Sequence, residues 1–228
     1  FAIAVVKQLF GGLGCNFANP AITGRVFLLL SFAGDMTTWV KPFYYHGLSI
    51  GNQLSSSAGS LDLDAVTSAT PLVTESLSNL FLGNVGGCIG ETSALALLLG
   101  GLFLIFTRVI SPSTPIAYLG SLGILTFFHA LATGGSLTEV PYALLSGGVM
   151  IGAFFMATDY VTTPITTKGK WIFGIGCGIL TFVIREFASM PEGCSFSILL
   201  MNLLTPYIDK FTMTKPLGAK PIKQKEEA

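Results

Sequence analysis

"GGLGCNFANPAITGRVFLLLSF", residues 11–32, places a glycine-rich, asparagine-bearing entry before an apolar run that ends too soon. Crossing a bilayer takes about 20 mainly apolar residues, and the run here covers only 21–34. Near the other end, "PEGCSFSILLMNLLTPYIDKF", residues 191–211, holds a second short apolar segment, 194–209. Both stretches carry Gly-Cys-x-Phe, as Gly14–Phe17 and Gly193–Phe196, and both set prolines and an asparagine in or beside the run. Paired short segments with Gly/Pro interruptions point to an internally repeated, transporter-like helical fold with broken helices at mid-membrane. Irregular backbone at that depth must be buried in protein or line a cavity, because lipid cannot satisfy its amides. Asn16 and Asn19 are therefore expected to face inward. Two readings stay open for them: a structural amide answering carbonyls freed by Pro20, or a hydrogen-bonding contact to a buried ligand.

Between the two short segments lie four long apolar ones, 93–110, 115–132, 140–158 and 171–188. The composition agrees: 51% of residues are hydrophobic and 11% charged, against about 25% charged in soluble domains. Mean hydropathy is +0.70, and the 27 glycines suit close helix approach in lipid. The chain reads as an all-α polytopic membrane protein, one transmembrane domain over 1–228. Net charge is zero, so no basic excess argues for a nucleic-acid partner. The opening "FAIAVVKQLF" reads as the tail of a helix already under way, without signal-peptide anatomy.

Lys/Arg bias gives an orientation. The tail 210–228 carries five lysines and is expected in the cytoplasm. Counting spans back puts Lys168, Lys170, Arg108 and Arg25 on the same side and leaves Arg185 as the dissenter. The polar loop 35–75, with Asp35, Asp62, Asp64 and Glu75 against Lys41, falls on the outer side.

That loop contains "DAVTSATPL", residues 64–72. Thr70 followed by Pro71 is a good helix start, a threonine N-cap with proline at N1. The capping box fails, since Val73 stands where Glu is needed. A helix N-terminus also welcomes a phosphoryl group, so a modified Thr70 is the second reading. Glu91 and Asp159 stand at span ends, where acids either complement helix dipoles or line an ion path. Arg185, Glu186 and Glu192 are expected to pair with one another. His129 and His46 have no second ligand at metal spacing and read as packing or surface residues. Cys15, Cys88, Cys177 and Cys194 have neither zinc nor disulfide spacing and read as buried small hydrophobes. No nucleotide-binding, hydrolase or zinc signature is present.

Several segments, in order, carry a resemblance. "DAVTSATPL" is similar to the flavinylation motif Asp-x-x-Ser/Thr-Gly-Ala-Thr/Ser of membrane redox pumps. "KQLFGGLGCNFANPAITGRVFLL", "GGCIGETSALALLLGG", "MATDYVTTPITTKGK" and "PEGCSFSILLMNLLTPYIDK" resemble consecutive segments of the D-type subunits of Rnf complexes, the ion-translocating ferredoxin:NAD oxidoreductases. The sister family is the B-type subunit of the sodium-translocating NADH:quinone oxidoreductase. The resemblance covers nearly the whole chain and implies that the family's first spans are missing from it. It implies a urea-transporter-like fold, and FMN joined by a phosphoester to Thr70, with Asp64, Thr67 and Ala69 as recognition residues for a flavin transferase. It also implies a non-covalent riboflavin near Asn16, Asn19, Pro20 and Ala21. Expected partners are the other Rnf subunits, the transferase and the bilayer, with electron flow driving Na+ or H+ transport. Ser68 departs from the motif's glycine. Cys15 and Cys194 inherit no cluster role. The rival readings are a secondary transporter or channel without flavin, and a scaffold without a cofactor.

Overall fold

The computed structural model describes residues 1–12, 14–32, 36, 77–83, 90, 92–188 and 193–213. Among them every regular element is helical. A π-helical stretch, Ala2–Gln8, precedes α1 (Pro20–Ser31), α2 (Leu77–Leu82) and α3 (Ala94–Phe106). Then come α4 (Ser113–Thr133), α5 (Glu139–Leu145), α6 (Val149–Ile151, continued by π-helical turns over Gly152–Met156), α7 (Thr167–Phe187) and α8 (Cys194–Thr212). Two helices, α4 and α7, are long and apolar enough to cross a membrane; α5 and α6, bent by 62° at their junction, make a third span if taken together.

The bundle is organised by a close approach of α4 and α7. In "GIGCG", residues 174–178, Gly174 and Gly178 lie one turn apart on one face, and Gly176 points elsewhere. A Cβ on Gly174 would stand 2.7 Å from Ala117 Cβ and 2.8 Å from the Thr114 carbonyl, and one on Gly178 would stand 2.8 Å from the Tyr118 carbonyl. Only hydrogen fits there, so the backbones meet as small-residue interfaces allow in lipid. The contacts advance together, Gly174 by Ala117, Gly178 by Leu122, His129 by Phe182, so the two helices run parallel. The broken α5–α6 span carries the chain back between them. Helix α8 runs antiparallel to α7: Ser197 sits by Thr181, Met201 by Gly176, and Thr212 by Thr166.

Around this frame one core forms from Ile22 and Val26 of α1, Tyr118 of α4, Phe173 and Cys177 of α7, and Ile198 and Met201 of α8. A smaller cluster joins Ala94 to Met150 and Phe154. Large apolar side chains such as Phe103, Phe128, Leu131 and Phe211 remain on the outside, where a bilayer would solvate them.

Three expectations need correction. The segment 140–158 is not one helix: Ser146 ends α5 in extended backbone, and Gly147 has φ +61°, a conformation that glycine adopts without steric cost. The segment 93–110 is helical only to Phe106, and Arg108 beyond it has φ +59°. The short segment 194–209 forms a 19-residue helix despite Pro206 inside it. The loop 35–75, apart from Met36, and the tail after Met213 lie outside the described residues.

Candidate functional site

Of the residues singled out in the sequence, Thr70, Asp64, Thr67 and Ala69 lie outside the described residues, as do Glu91, Glu192, Cys88 and His46. Asn16 and Asn19 lie within them, at the start of α1.

The approach to α1 is irregular because its glycines permit it. Gly11, Gly12 and Gly14 have φ of +112°, +87° and +82°, values open to glycine at little cost. The Asn16 side-chain amide donates to the Ala18 carbonyl at 3.0 Å. Asn19 then caps the helix: its Oδ1 accepts from the backbone N–H of Ala21 at 3.0 Å and of Ile22 at 3.3 Å. Pro20 occupies N1, where its lacking N–H is harmless, and Thr23 Oγ1 donates back to the Asn19 carbonyl at 2.8 Å. Both asparagines have structural work, but not the work expected of them: Asn19 accepts from backbone N–H groups rather than answering carbonyls freed by Pro20, and Asn16 answers the carbonyl of Ala18. The Asn19 NH2 and the Asn16 side-chain oxygen make no hydrogen bond among the described residues. Phe17, beside them, is exposed and meets Phe10 edge-on, with ring centroids 4.7 Å apart.

This capped end rests on the middle of α8. Asn202 is almost wholly buried. With its amide oriented as its neighbours require, it donates to the Thr162 carbonyl and accepts from the Asn19 N–H, each at 3.3 Å. One turn on, Thr205 Oγ1 donates to the Thr162 carbonyl at 2.9 Å. Pro206 has no N–H to offer the Asn202 carbonyl, so α8 is locally open where α1 begins. Asn202 is not among the residues singled out in the sequence. Its position four residues before a proline inside an apolar run was the available signal.

The break between α5 and α6 adjoins a second polar group. Tyr118 Oη lies 2.7 Å from Thr181 Oγ1 and 3.4 Å from Ser197 Oγ, and Thr181 and Ser197 are themselves 2.7 Å apart. Cys194 Sγ accepts from Tyr118 at 3.2 Å and donates to the Gly148 carbonyl at 3.2 Å. All four side chains are buried. Ser146, in the break, has a buried hydroxyl without a partner among the described residues. Arg185 closes the other side, donating from Nη1 to the Ala143 carbonyl at 2.7 Å and from Nη2 to the Ser146 carbonyl at 3.1 Å. A guanidinium there satisfies carbonyls that the interrupted helix leaves open and sits at its negative dipole end. This gives the one cation out of step with the charge bias a structural task.

The expected pairing of Arg185 with Glu186 is corrected accordingly. Glu186 Oε2 instead lies 3.9 Å from His129 Nε2, on the edge of a cavity of about 560 Å³ whose lining includes Thr126, Glu139 and Tyr142. Asp159 closes its own turn, accepting from Thr162 Oγ1 at 3.0 Å. Cys177 and Cys194 are buried thiols, whereas Cys15 is exposed, contrary to expectation. The two Gly-Cys-x-Phe quartets also differ in place: Cys194 opens α8, but Cys15 lies in the irregular approach to α1. Among the described residues no group of His, Cys, Asp and Glu could hold a metal ion.

Helices broken at mid-bundle, a capped half-helix and a buried hydroxyl cluster define a polytopic membrane protein with polar elements inside its apolar spans. Comparison with known proteins makes this more specific. Residues 1–218 match the NQR2, RnfD, RnfE family, and the chain belongs to that family. It is 46% identical over 239 residues to the D-type subunit of the Na(+)-translocating ferredoxin:NAD(+) oxidoreductase complex of Acetobacterium woodii, covering 100% of this chain and 67% of that one. It is 42% identical over 236 residues to the D-type subunit of the proton-translocating ferredoxin:NAD(+) oxidoreductase complex of Clostridium ljungdahlii, covering 96% and 66%. With the D-type subunit of the ion-translocating oxidoreductase complex of Stutzerimonas stutzeri identity is 40%, covering 96% and 68%. The chain thus spans about two thirds of the length of these curated relatives.

Proposed function

We propose that this chain is the flavin-bearing electron-transfer component of a membrane-bound, ion-translocating ferredoxin:NAD oxidoreductase, with FMN joined through its phosphate to Thr70. The observation that carries the proposal is the similarity over the entire chain to D-type subunits of such complexes, together with "DAVTSATPL" at residues 64–72. Asp64, Thr67 and Ala69 are the recognition residues of a flavin transferase, and Ser68 is a small substitute for the motif's glycine. FMN supplies reversible electron carriage. The chain supplies attachment, and a tether holds the flavin at high effective concentration beside its redox partners. The other Rnf subunits complete the path from ferredoxin to NAD, coupled to Na+ or H+ transport. The first two relatives quoted above are named for different ions, so both stand in the proposal.

A second, non-covalent riboflavin belongs beside Asn16, Asn19, Pro20 and Ala21. The chemistry of that corner fits a flavin ring, with one unused amide donor, one unused carbonyl acceptor and an exposed aromatic pair. The proposed fold is urea-transporter-like, and the short α1 and the broken α5–α6 span support it. The proposed topology puts 210–228 in the cytoplasm and 35–75 outside. In support, Arg108, Lys168, Lys170 and Lys210 gather at one end of the bundle: Tyr160 bonds to the Val109 carbonyl and Asp209 to the Ile165 N–H.

The test is in-gel flavin fluorescence of this chain after denaturing electrophoresis of the complex purified from its native host. A fluorescent band lost in Thr70→Val supports the reading. A dark wild-type band, from cells with demonstrated flavin transferase activity, defeats it. The broken span would then favour a secondary transporter of the same fold.

A further inference from the structure

At the end of the bundle where Arg108, Lys168, Lys170 and Lys210 gather, a cavity of about 190 Å³ opens between the starts of α4 and α7. Its lining includes Ser111, Thr114, Tyr160, Thr163 and Lys170. We propose that this cavity is an anion subsite that takes a phosphate group, which makes it a site distinct from both proposed flavin positions.

Four independent features lead there. First, α4 is a 21-residue helix whose N-cap is Pro112, and no side chain caps it. The backbone N–H groups of Ser113 and Thr114 have no acceptor within the helix, and they carry its positive dipole end. By contrast α7, which starts on the other side of the cavity, is capped by Thr166 Oγ1 accepting from Gly169 N–H at 3.0 Å. Second, Thr114 lines the cavity and is only 1% exposed, yet its hydroxyl has no hydrogen-bond partner among the described residues. Third, Lys170 brings an ammonium to the wall with no carboxylate within salt-bridge distance among the described residues. Fourth, Ser113 donates to Ser111 Oγ at 3.3 Å, so the Ser111 O–H is available to donate in its turn. Amides, hydroxyls and an ammonium are all donors. Together they suit the oxygens of a tetrahedral oxyanion at a helix N-terminus.

The charges facing this end do not cancel that preference. Asp159 and Asp209 are the acids nearby. Asp159 is held by Thr162 Oγ1 and Asp209 by the Ile165 N–H, and neither lines the cavity. Four cations stand against these two acids in the described residues of this end. Size selects further. Cofactor pockets run to about 300–1,000 Å³, so 190 Å³ admits a phosphate group and excludes a flavin or a nucleotide. Depth selects too. Helix α4 rises about 1.5 Å per residue, so its 21 residues span the hydrocarbon core and leave Ser113 at headgroup level. The phosphate available at that level is a phospholipid's phosphodiester, and the excess of cations at this end favours a headgroup that carries net negative charge, that of an acidic phospholipid. The other source of the same chemistry is free phosphate from the aqueous side.

The experiment uses the chain in its native complex. After extraction, the complex is placed in nanodiscs of phosphatidylcholine with or without phosphatidylglycerol, released in mild detergent, and read by native mass spectrometry of the dissociated chain. Wild type is compared with Lys170→Gln, with Thr114→Val as an isosteric second variant, and with Lys168→Gln as an exposed control off the cavity wall. Retention of one phosphatidylglycerol by wild type and Lys168→Gln, weakened about tenfold in Lys170→Gln and Thr114→Val, supports the site with lipid as its source. Saturable binding of radiolabelled inorganic phosphate in lipid-free detergent, lost in the same two variants, supports it with soluble phosphate as the source. If neither probe distinguishes the two variants from Lys168→Gln, the proposal is overturned. Each readout is independent of flavin content, so the subsite can fail without affecting the reading of Thr70, and the reverse.

Discussion

Replacing Arg185 with methionine keeps the aliphatic stem and removes both bonds to the interrupted end of α5. The guanidinium donates at 2.7 Å to the Ala143 carbonyl and at 3.1 Å to the Ser146 carbonyl. Hydrogen bonds from a charged donor contribute about 1.5–3 kcal/mol each. The two share one side chain and are not additive, and Arg185 is partly exposed, which screens its charge. The expected loss is therefore about 2–4 kcal/mol, roughly a 30- to 700-fold shift at 1.4 kcal/mol per decade. That loss falls on the α5–α6 break. Cys194 reports the opening, because its thiol is buried and donates to the Gly148 carbonyl in the break. In the native complex, maleimide labelling of Cys194, read by peptide mass spectrometry, should rise by about that factor when opening precedes labelling. Arg185→Lys should fall between, since an ammonium lacks the planar fork that serves two carbonyls at once. Labelling of Cys194 in Arg185→Met at the wild-type rate would refute the assignment of Arg185 as the cap of a broken helix.

The same geometry sets the outcome at two other places, the α4–α7 contact and the start of α1. Gly174→Val drives a side chain into Ala117 and the Thr114 carbonyl and should destabilise the α4–α7 pair by about 2 kcal/mol or more, seen as a lower detergent-unfolding midpoint. Gly120→Ala, where a Cβ meets nothing within 4 Å, should leave that midpoint in place. Asn19→Ala removes the α1 cap and should cost about 1 kcal/mol. Asn19→Asp keeps the capping oxygen but loses the NH2, so unfolding should stay near wild type while extractable riboflavin falls; unchanged riboflavin would place that flavin elsewhere.

What could be read directly from the sequence was whatever depends on long uniform runs. The expected spans 115–132 and 171–188 differ from Ser113–Thr133 and Thr167–Phe187 only at ends set by local caps such as Thr166. The α5–α6 break escaped because "SGG" at 146–148 is apolar enough to vanish in an averaged window, although Gly147 alone turns the chain. The cap formed by Arg185 escaped for a related reason: two of its partners are backbone carbonyls about 40 residues away, and carbonyls leave no letter in a sequence. Tyr118, Thr181 and Ser197 come from three helices, so only their packing brings the hydroxyls together. The start of α1 at Asn19 did carry a signal, because Asn-Pro before an apolar run states a helix start in two residues, but the cap itself was not read from it.

A flavin anchored on Thr70 would be seen in peptide mass spectrometry across residues 64–72 of the chain purified with its native partners. The expected result is a mass increase equal to FMN less one water, localised to Thr70 by fragmentation and absent from Thr70→Val. An unmodified peptide, from cells whose flavin transferase is shown to be active, contradicts it.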